Sequence, residues 1–369
     1  MDHKCFILTQ EERDKIKKRS VNGEIKNQTR GYIFFDYESM NVDGLHIPNL
    51  IIADKMCFDC IERWKVNEVR ESCVNNCGIF NFNNNNDFCY WLLEQKNYTG
   101  FAHNLKAYDG IFIMKYIVDN PLPTDSLPKI VLNGLKLMSI EFEKIKLIDS
   151  HNFIPMPLSK FPKTFGFTEL HKGYFPHHFN TPENQNKIFD TYPGIEYYGH
   201  KFMSVKDRTD FLNWHSQQNG LFNFNEELYK YCLSDVEILR NGCLSYRKIF
   251  LEISKKDNIG IDPFLNFVTL PSACHLIYRR NFMKSQSIAL IPDFGFDPTQ
   301  NFSHKQILWL KYISFKESIQ VQHCFNNLEK KIGPYPVDGY CKETDTFKNS
   351  KVVLCIAVQN VSATIVSIL

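Results

Sequence analysis

The sequence predicts a mixed α/β fold, on three observations. Short aromatic and β-branched runs such as YIFF (32–35) and KLI (146–148) read as buried strands. Apolar residues elsewhere recur at helical spacing, most extensively from 225 to about 254. The two patterns alternate along the chain, which is the signature of layered α/β or α+β architecture. A chain of 369 residues, 43% hydrophobic and 14% aromatic, has room for two or three domains with a proper core. Those figures exclude a one-domain peptide module and a globally disordered chain.

The elements follow in order. Residues 1–28 are polar and mixed in charge and read as an N-terminal extension; without an apolar segment or a small-residue cleavage site they predict an intracellular protein. A buried-type strand follows at 31–39. The asparagine run 83–86 reads as a loop tip, and helices are predicted at 88–95 and 110–118 before the long one at 225 to about 254. Lys255 to Asn258, then Gly260 and Pro263, interrupt that helix, and the domain break is placed there. The apolar run 352–369 approaches the length of a membrane span, but Gln359, Asn360, Ser362, Thr364 and Ser367 make it read as a β-rich end, with no membrane partner. Lys plus Arg (43) against Asp plus Glu (41) leaves a net charge of +2, so any binding of DNA must come from a local groove.

Carboxylates at three places carry the chemistry. GYIFFDYES (31–39) ends in Asp36 and Glu38, which share one face because residues two apart on a strand point the same way. Two carboxylates there call for a cation between them, a divalent one being the usual answer, unless they form an ordinary solvated strand end. In FAHNLKAYDG (101–110), Asp109 opens a helix and reads equally as its N-cap. In LYKYCLSDVEIL (228–239), Tyr231 and Asp235 stand four apart on a helix, facing one cleft together or forming a surface pair.

Taken in order, Asp-x-Glu, Asn-x-x-x-Tyr-Asp and Tyr-x-x-x-Asp over about one domain length resemble the three exonuclease motifs of family B DNA polymerases. HNLKAYDG (103–110) and LSKFPKTFG (158–166) resemble the protein-primed branch, especially polymerases of Maverick/Polinton-type transposons, and the resemblance extends over about 31–250. It implies an RNase H-like, DEDD-type 3′→5′ exonuclease domain at 29–256. In that domain Asp36, Glu38, Asp109 and Asp235 would hold two Mg²⁺ or Mn²⁺ ions, and Tyr231 would help place the attacking water. Asn104, Tyr108 and Leu158 would hold the frayed 3′ end of single-stranded DNA by polar contact and stacking. The family also uses a downstream lysine, for which Lys172 in LHKGY (170–174) stands beside Lys160 and Lys163. A terminal protein as primer, and a nuclear, mobile-element or virion location, are further implications.

A cysteine cluster lies in the same domain. Cys57 and Cys60, two residues between them, are followed after twelve residues by Cys73 and Cys77, three residues between them. In a chain read as intracellular, that spacing matches a structural Zn²⁺ knuckle inserted at 57–77, with free thiols as the alternative. His171, His177 and His178 lack ligand partners at helical or hairpin spacing and are assigned packing and turn roles outside the site.

The palm motifs of the resembling family (Tyr-x-Asp-Thr-Asp, Ser-Leu-Tyr-Pro, Lys-x-x-x-Asn-Ser-x-Tyr-Gly) do not occur in these 369 residues, and ETDT (343–346) reads as a turn. SIALIP (287–292), LWL (308–310) and VDGY (337–340) resemble the stretch joining exonuclease to polymerase. Residues 257–347 are therefore expected to be the incomplete start of an α+β polymerase region, with 348–369 a tail outside the family. The expectation is a polymerase fragment whose own chemistry is exonucleolytic; the alternative is an inactive, domesticated module that binds DNA or a partner.

Overall fold

Strand β1 (Gly31–Val42) is buried on both faces over its first half, as its unbroken aromatic run requires. It pairs antiparallel with β2 (Leu45–Cys57) through a tight turn at Asp43 and Gly44, both at positive φ. A short helix α1 (Phe58–Arg63) and a crossover lead to β3 (Gly78–Phe82), which pairs with β2. After helix α2 (Asn85–Glu94), strand β4 (Tyr98–Ala102) returns parallel to β1 on its other side. Helix α3 (Asp109–Asp119) precedes β5 (Lys129–Asn133), β6 (Lys136–Phe142) and β7 (Ile145–Asp149), with β7 parallel to β4. The result is one seven-stranded sheet in the order β3-β2-β1-β4-β7-β6-β5. This is the mixed α/β architecture expected, organised about a large central sheet.

The computed structural model describes residues 7–14, 29–66, 72–106, 108–120, 128–134, 136–167, 172–265, 267–285, 287–288, 304–324, 326, 330–332, 335–348 and 356–357. Most of the N-terminal extension and most of the apolar run 352–369 lie outside them, as does His171. Among the described residues, no helix is long and apolar enough to cross a membrane.

Period-two alternation along β1 separates two cores. Ile33, Phe35 and Tyr37 face α2 and α3, packing with Phe88, Leu92, Ile113 and Ile117. Tyr32 and Phe34 face the other way, against the 30-residue helix α6 (Phe224–Ile253), with Leu228, Cys232, Val236 and Leu239. Helices α4 (Phe161–Phe165) and α5 (Val205–Ser216) precede α6. Gly242 of α6 lets that helix settle onto Phe161, since a Cβ there would fall 2.2 Å from the ring. Asp36 and Glu38 continue the parity of Tyr32 and Phe34, so they too face α6.

The helices fall close to their expected places. α2 begins earlier than 88 because Asn84 accepts a hydrogen bond from the Asp87 N–H, making the asparagine run a helix cap. The turn expected near Asp257 exists, with Asp257 and Asn258 at positive φ, yet the same unit runs on from Leu8 through Ser285. Asp262 there accepts from Arg247 Nε at 2.5 Å and Tyr32 Oη at 2.6 Å, and buried Phe264 packs edge-on against Phe101 and Phe153. Helix α7 (Leu270–Ile277) closes this stretch.

A second unit comprises Met1–Ile7 with Gln286–Leu369. It contains helix α8 (His304–Glu317) and a four-stranded antiparallel sheet of short strands, Val321–Gln322, Gly339–Cys341, Thr346–Lys348 and Ile356–Ala357. Glu343 to Asp345 of ETDT lie in the turn between two of these strands and Thr346 opens the second of them; Tyr340 Oη donates to Asp345.

Candidate active site

At the C-terminal half of β1 the sheet parts from α6 and leaves a cleft of about 820 Å³. Asp36 and Glu38 line it from β1, Tyr231 and Asp235 from α6, Tyr108 from the turn before α3, and Lys172 from the segment after α4. Six residues singled out in the sequence therefore meet, although β1 and α6 are far apart in the chain. Tyr231 and Asp235, one turn apart, face the strand together; they are not a surface pair, being 8% and 3% exposed.

Asp109 is the first residue of α3 and Tyr108 occupies the N-cap position. Asp109 is buried and close enough to Asp36 for the charge of Asp36 to act on it. Asn104 sits on an exposed loop at positive φ, its N–H donating to Asp149, and Leu158 is buried in the core that includes α6; neither lines the cleft. Of the three lysines considered, Lys160 and Lys163 point to solvent, whereas Lys172 Nζ lies 2.5 Å from Asp235 Oδ2 and 5.2 Å from the Tyr231 ring centroid.

Negative charge outweighs positive here. Burial, then the charge of Asp235, pushes Asp36 up to about 7, opposed by Lys172. Burial, then Asp36 and Asp235, holds Glu38 well above the usual carboxylate range. Burial and then Asp36 do the same to Asp109, and burial raises Asp235 while Lys172 pulls it back. Burial alone would lower Lys172, but Asp235, with Tyr231 and Asp36, keeps it charged above its ordinary range. Asp235 Oδ1 is buried without a hydrogen-bond partner. One ammonium among three buried carboxylates and the half-buried Asp36, plus an orphaned carboxylate oxygen, fits the hard oxygen donor set of Mg²⁺ or Mn²⁺.

Several cleft residues escaped the sequence reading. His177, assigned a packing role, has Nδ1 3.9 Å from Glu38 Oε2 and its ring 5.2 Å from that of Tyr231. Its side chain is about half exposed, and partial desolvation, then Lys172 and His178, lower it to about 4. His178, Asn180 and Thr181 line the cleft beside it, and His46 and Ser39 line the mouth, where both bond with the Tyr108 hydroxyl. The stretch 172–181 that delivers Lys172 delivers these neighbours too, but it has no periodic pattern to announce them. Cys232, read as a small buried hydrophobe, groups with Asp36 and Glu38, their ligand-type atoms within 4.8 Å of one another. Burial keeps it a thiol, and its Sγ donates to the Asp36 carbonyl.

Residues 89–299, more than half of the chain, match the family model for DNA polymerase type B, organellar and viral. The chain belongs to that family. The matched part of the chain contains Asp109, Lys172, Tyr231 and Asp235. It is similar to a probable DNA polymerase of Agaricus bitorquis, 29% identical over 208 residues, covering 52% of this chain and 23% of the relative. It is also similar to one of Ascobolus immersus, 26% identical over 200 residues, covering 51% of this chain and 16% of the relative. The matches thus span less than a quarter of those relatives' length. Among solved structures, Phi29 DNA polymerase with primer-template DNA and incoming nucleotides aligns at TM-score 0.39 and 17% identity, covering 67% of this chain and 33% of that one. The same polymerase with single-stranded DNA aligns at TM-score 0.37 and 16% identity, covering 62% and 32%.

Proposed function

We propose that this type B polymerase chain is the proofreading part of a protein-primed DNA polymerase, an RNase H-like 3′→5′ exonuclease that hydrolyses single-stranded DNA ends. The observation that carries the reading is the convergence of Asp36, Glu38 and Asp235 on one cleft, Asp109 behind them and Lys172 as the sole lysine or arginine among the described lining residues. The antiparallel β1-β2-β3 meander beside parallel β4 and β7 supports the RNase H-like fold. Asp36, Glu38, Asp109 and Asp235 would hold two Mg²⁺ or Mn²⁺ ions, which when bound supply water activation and stabilisation of the leaving 3′ oxygen.

The chain's own residues do the rest. Burial and the charge of Asp235 keep the Tyr231 hydroxyl protonated, so it can donate a hydrogen bond and orient the attacking water. Lys172, held charged, offsets the negative charge of the incoming phosphodiester. Tyr108 at the mouth offers an aromatic face on which any terminal base can stack, as proofreading demands. Asn104, exposed on the loop before α3, would join the grip on the strand, and Leu158 would act only by supporting the cleft from the core beneath it. DNA synthesis from a terminal-protein primer is proposed for the full-length polymerase, in a nuclear or mobile-element setting.

The test is digestion of a 5′-labelled single-stranded oligonucleotide with Mg²⁺ or Mn²⁺, beside an Asp36→Ala/Glu38→Ala double variant and an EDTA control. A metal-dependent ladder shortening from the 3′ end, absent in the variant, is expected. Activity surviving in the double variant would move the site elsewhere. Folded protein that binds the oligonucleotide without shortening it would overturn the nuclease assignment in favour of a binding module.

A further inference from the structure

Away from the carboxylate cleft, the described residues hold one other close set of ligand-type side chains. Cys57 ends β2, Cys60 lies in α1, and Cys73 and Cys77 stand just before β3. We propose that these four thiols bind a single Zn²⁺ and that this ion is what fastens the crossover 58–77, and with it the outer end of the sheet.

Three observations lead there. The first is spacing: the four sulfurs lie within 4.8 Å of one another, and Cys57 Sγ is 3.6 Å from both Cys60 Sγ and Cys73 Sγ. A tetrahedral site with Zn–S near 2.3 Å has sulfur–sulfur edges of about 3.8 Å, so the thiols already stand almost at the corners. The second is the surrounding backbone. The Cys57 N–H donates to Cys77 Sγ at 3.1 Å and the Asn75 N–H to Cys73 Sγ at 3.4 Å, the outer hydrogen bonds that steady thiolate ligands. Lys55, two residues before Cys57 and over the Tyr98 ring, adds positive charge within reach of Cys57, Cys73 and Cys77.

The third is how little else fastens the described end of the crossover before β3, in contrast to α1, which Ile61 anchors in the core. Residues 72–77 bury no side chain, and Val74, between two of the cysteines, is fully exposed. β3 is an edge strand that pairs only with β2, from Ile51↔Phe82 to Lys55↔Gly78, and two of its five residues, Ile79 and Asn81, are exposed. The pairing ends at Gly78, where the cysteine cluster takes over. A metal tying both ends of the crossover would hold that end of the edge strand. All four ligand positions are filled by protein, so the site is closed and structural, with no open position for a substrate.

The inference stands apart from the nuclease reading, and its readouts do not involve nuclease activity. The intact chain, purified without added metal, is analysed for zinc and iron. Cys73→Ser/Cys77→Ser is compared with Cys274→Ser, a change at an exposed thiol elsewhere. One zinc per chain is expected in the parent and in Cys274→Ser, and none in the double variant. Hydrogen exchange then localises the effect: stripping zinc from the parent should deprotect the amides of β3 while those of β1 and β4 stay protected, and adding Zn²⁺ alone should restore them. That stripping experiment also decides the matter if the double variant fails to fold. Full zinc in the double variant, iron in place of zinc, a folded metal-free parent that takes up no Zn²⁺, or β3 protection indifferent to zinc would overturn the proposal.

Discussion

Asp149 ends β7 fully buried, and its carboxylate is spent on backbone donors. Oδ1 accepts from the N–H groups of Asn104 and His151, each at 2.9 Å, and Oδ2 from Lys106 at 3.2 Å. Two of these donors belong to the loop that leaves β4, bends at Asn104 with φ +71°, and delivers Tyr108 and Asp109 to the cleft. Asp149 is thus the tie between the end of one strand and the loop leaving the next.

Replacing Asp149 with alanine removes two acceptor oxygens and the three charge-assisted hydrogen bonds they accept. Such bonds are worth about 1.5–3 kcal/mol each, and since Asn104 is exposed, water can recover its N–H; the expected net loss is about 3–5 kcal/mol. Asp149→Asn keeps the shape and one oxygen. With that oxygen at the Oδ1 position, only the Lys106 N–H is left facing an amide NH₂, a cost of about 1–3 kcal/mol. Urea unfolding followed by hydrogen exchange, which reports each unit separately, should rank parent, Asn and Ala in that order, with amides 105–110 deprotected first. An Asp149→Ala variant within about 1 kcal/mol of the parent, or one no worse than Asn, would refute the reasoning, because it would mean those N–H groups find other acceptors.

Two further outcomes follow from the same electrostatics. Lys172→Met removes the cation that draws Asp36, Glu38 and Asp235 toward ionisation, so those carboxylates should keep their protons to higher pH. The acid limb of the pH–rate profile for oligonucleotide digestion should then move to higher pH, and an unmoved limb would exclude Lys172 from that role. His103, bonded to Ser150 Oγ at 2.9 Å, is pulled down to about 4, mainly by burial, with Asp149 opposing. Because its folded pKa lies below the unfolded value, the unfolded chain takes up the proton first as pH falls. Stability should therefore be lost from about pH 6.5 down to about pH 4, by at most about 3 kcal/mol, and His103→Leu should flatten that slope in pH-dependent unfolding.

How much of the fold could be read in advance depended on whether the signal was local. The unbroken apolar run of 31–35 announced a strand buried on both faces, and α6 appeared within a residue of its observed ends because thirty residues of helical periodicity leave little choice. The order of the seven strands had no such signal. β1 meets β4 across more than fifty residues, and that pairing is decided by which faces can be buried together. The turn at 255–260 shows the same limit from the other side. Charged residues and a glycine mark a reversal of the chain equally well inside a unit and between two, and only the burial of Phe264 and the Arg247–Asp262 pair show that the chain folds back onto its own core.

The site divides along the same line. Strand parity put Asp36 and Glu38 on one face, and helical spacing put Tyr231 and Asp235 on another; both statements needed only a few neighbouring residues. That the two faces confront each other is a consequence of Tyr32 and Phe34 packing on Leu228, Val236 and Leu239, the same parities extended into the core. This explains why the carboxylates are buried at all: they lie where an aromatic core ends, on elements that the core holds rigid. Burying them with one lysine opposes folding, and the opposition is sustained by the packing on either side of β1. No count of charges along the chain shows that imbalance, since the net charge is close to zero. It exists only where α6 closes on β1, which is also why Lys172 stood out from Lys160 and Lys163, and His177 from the other histidines, only once their distances to Asp235 and Glu38 were known.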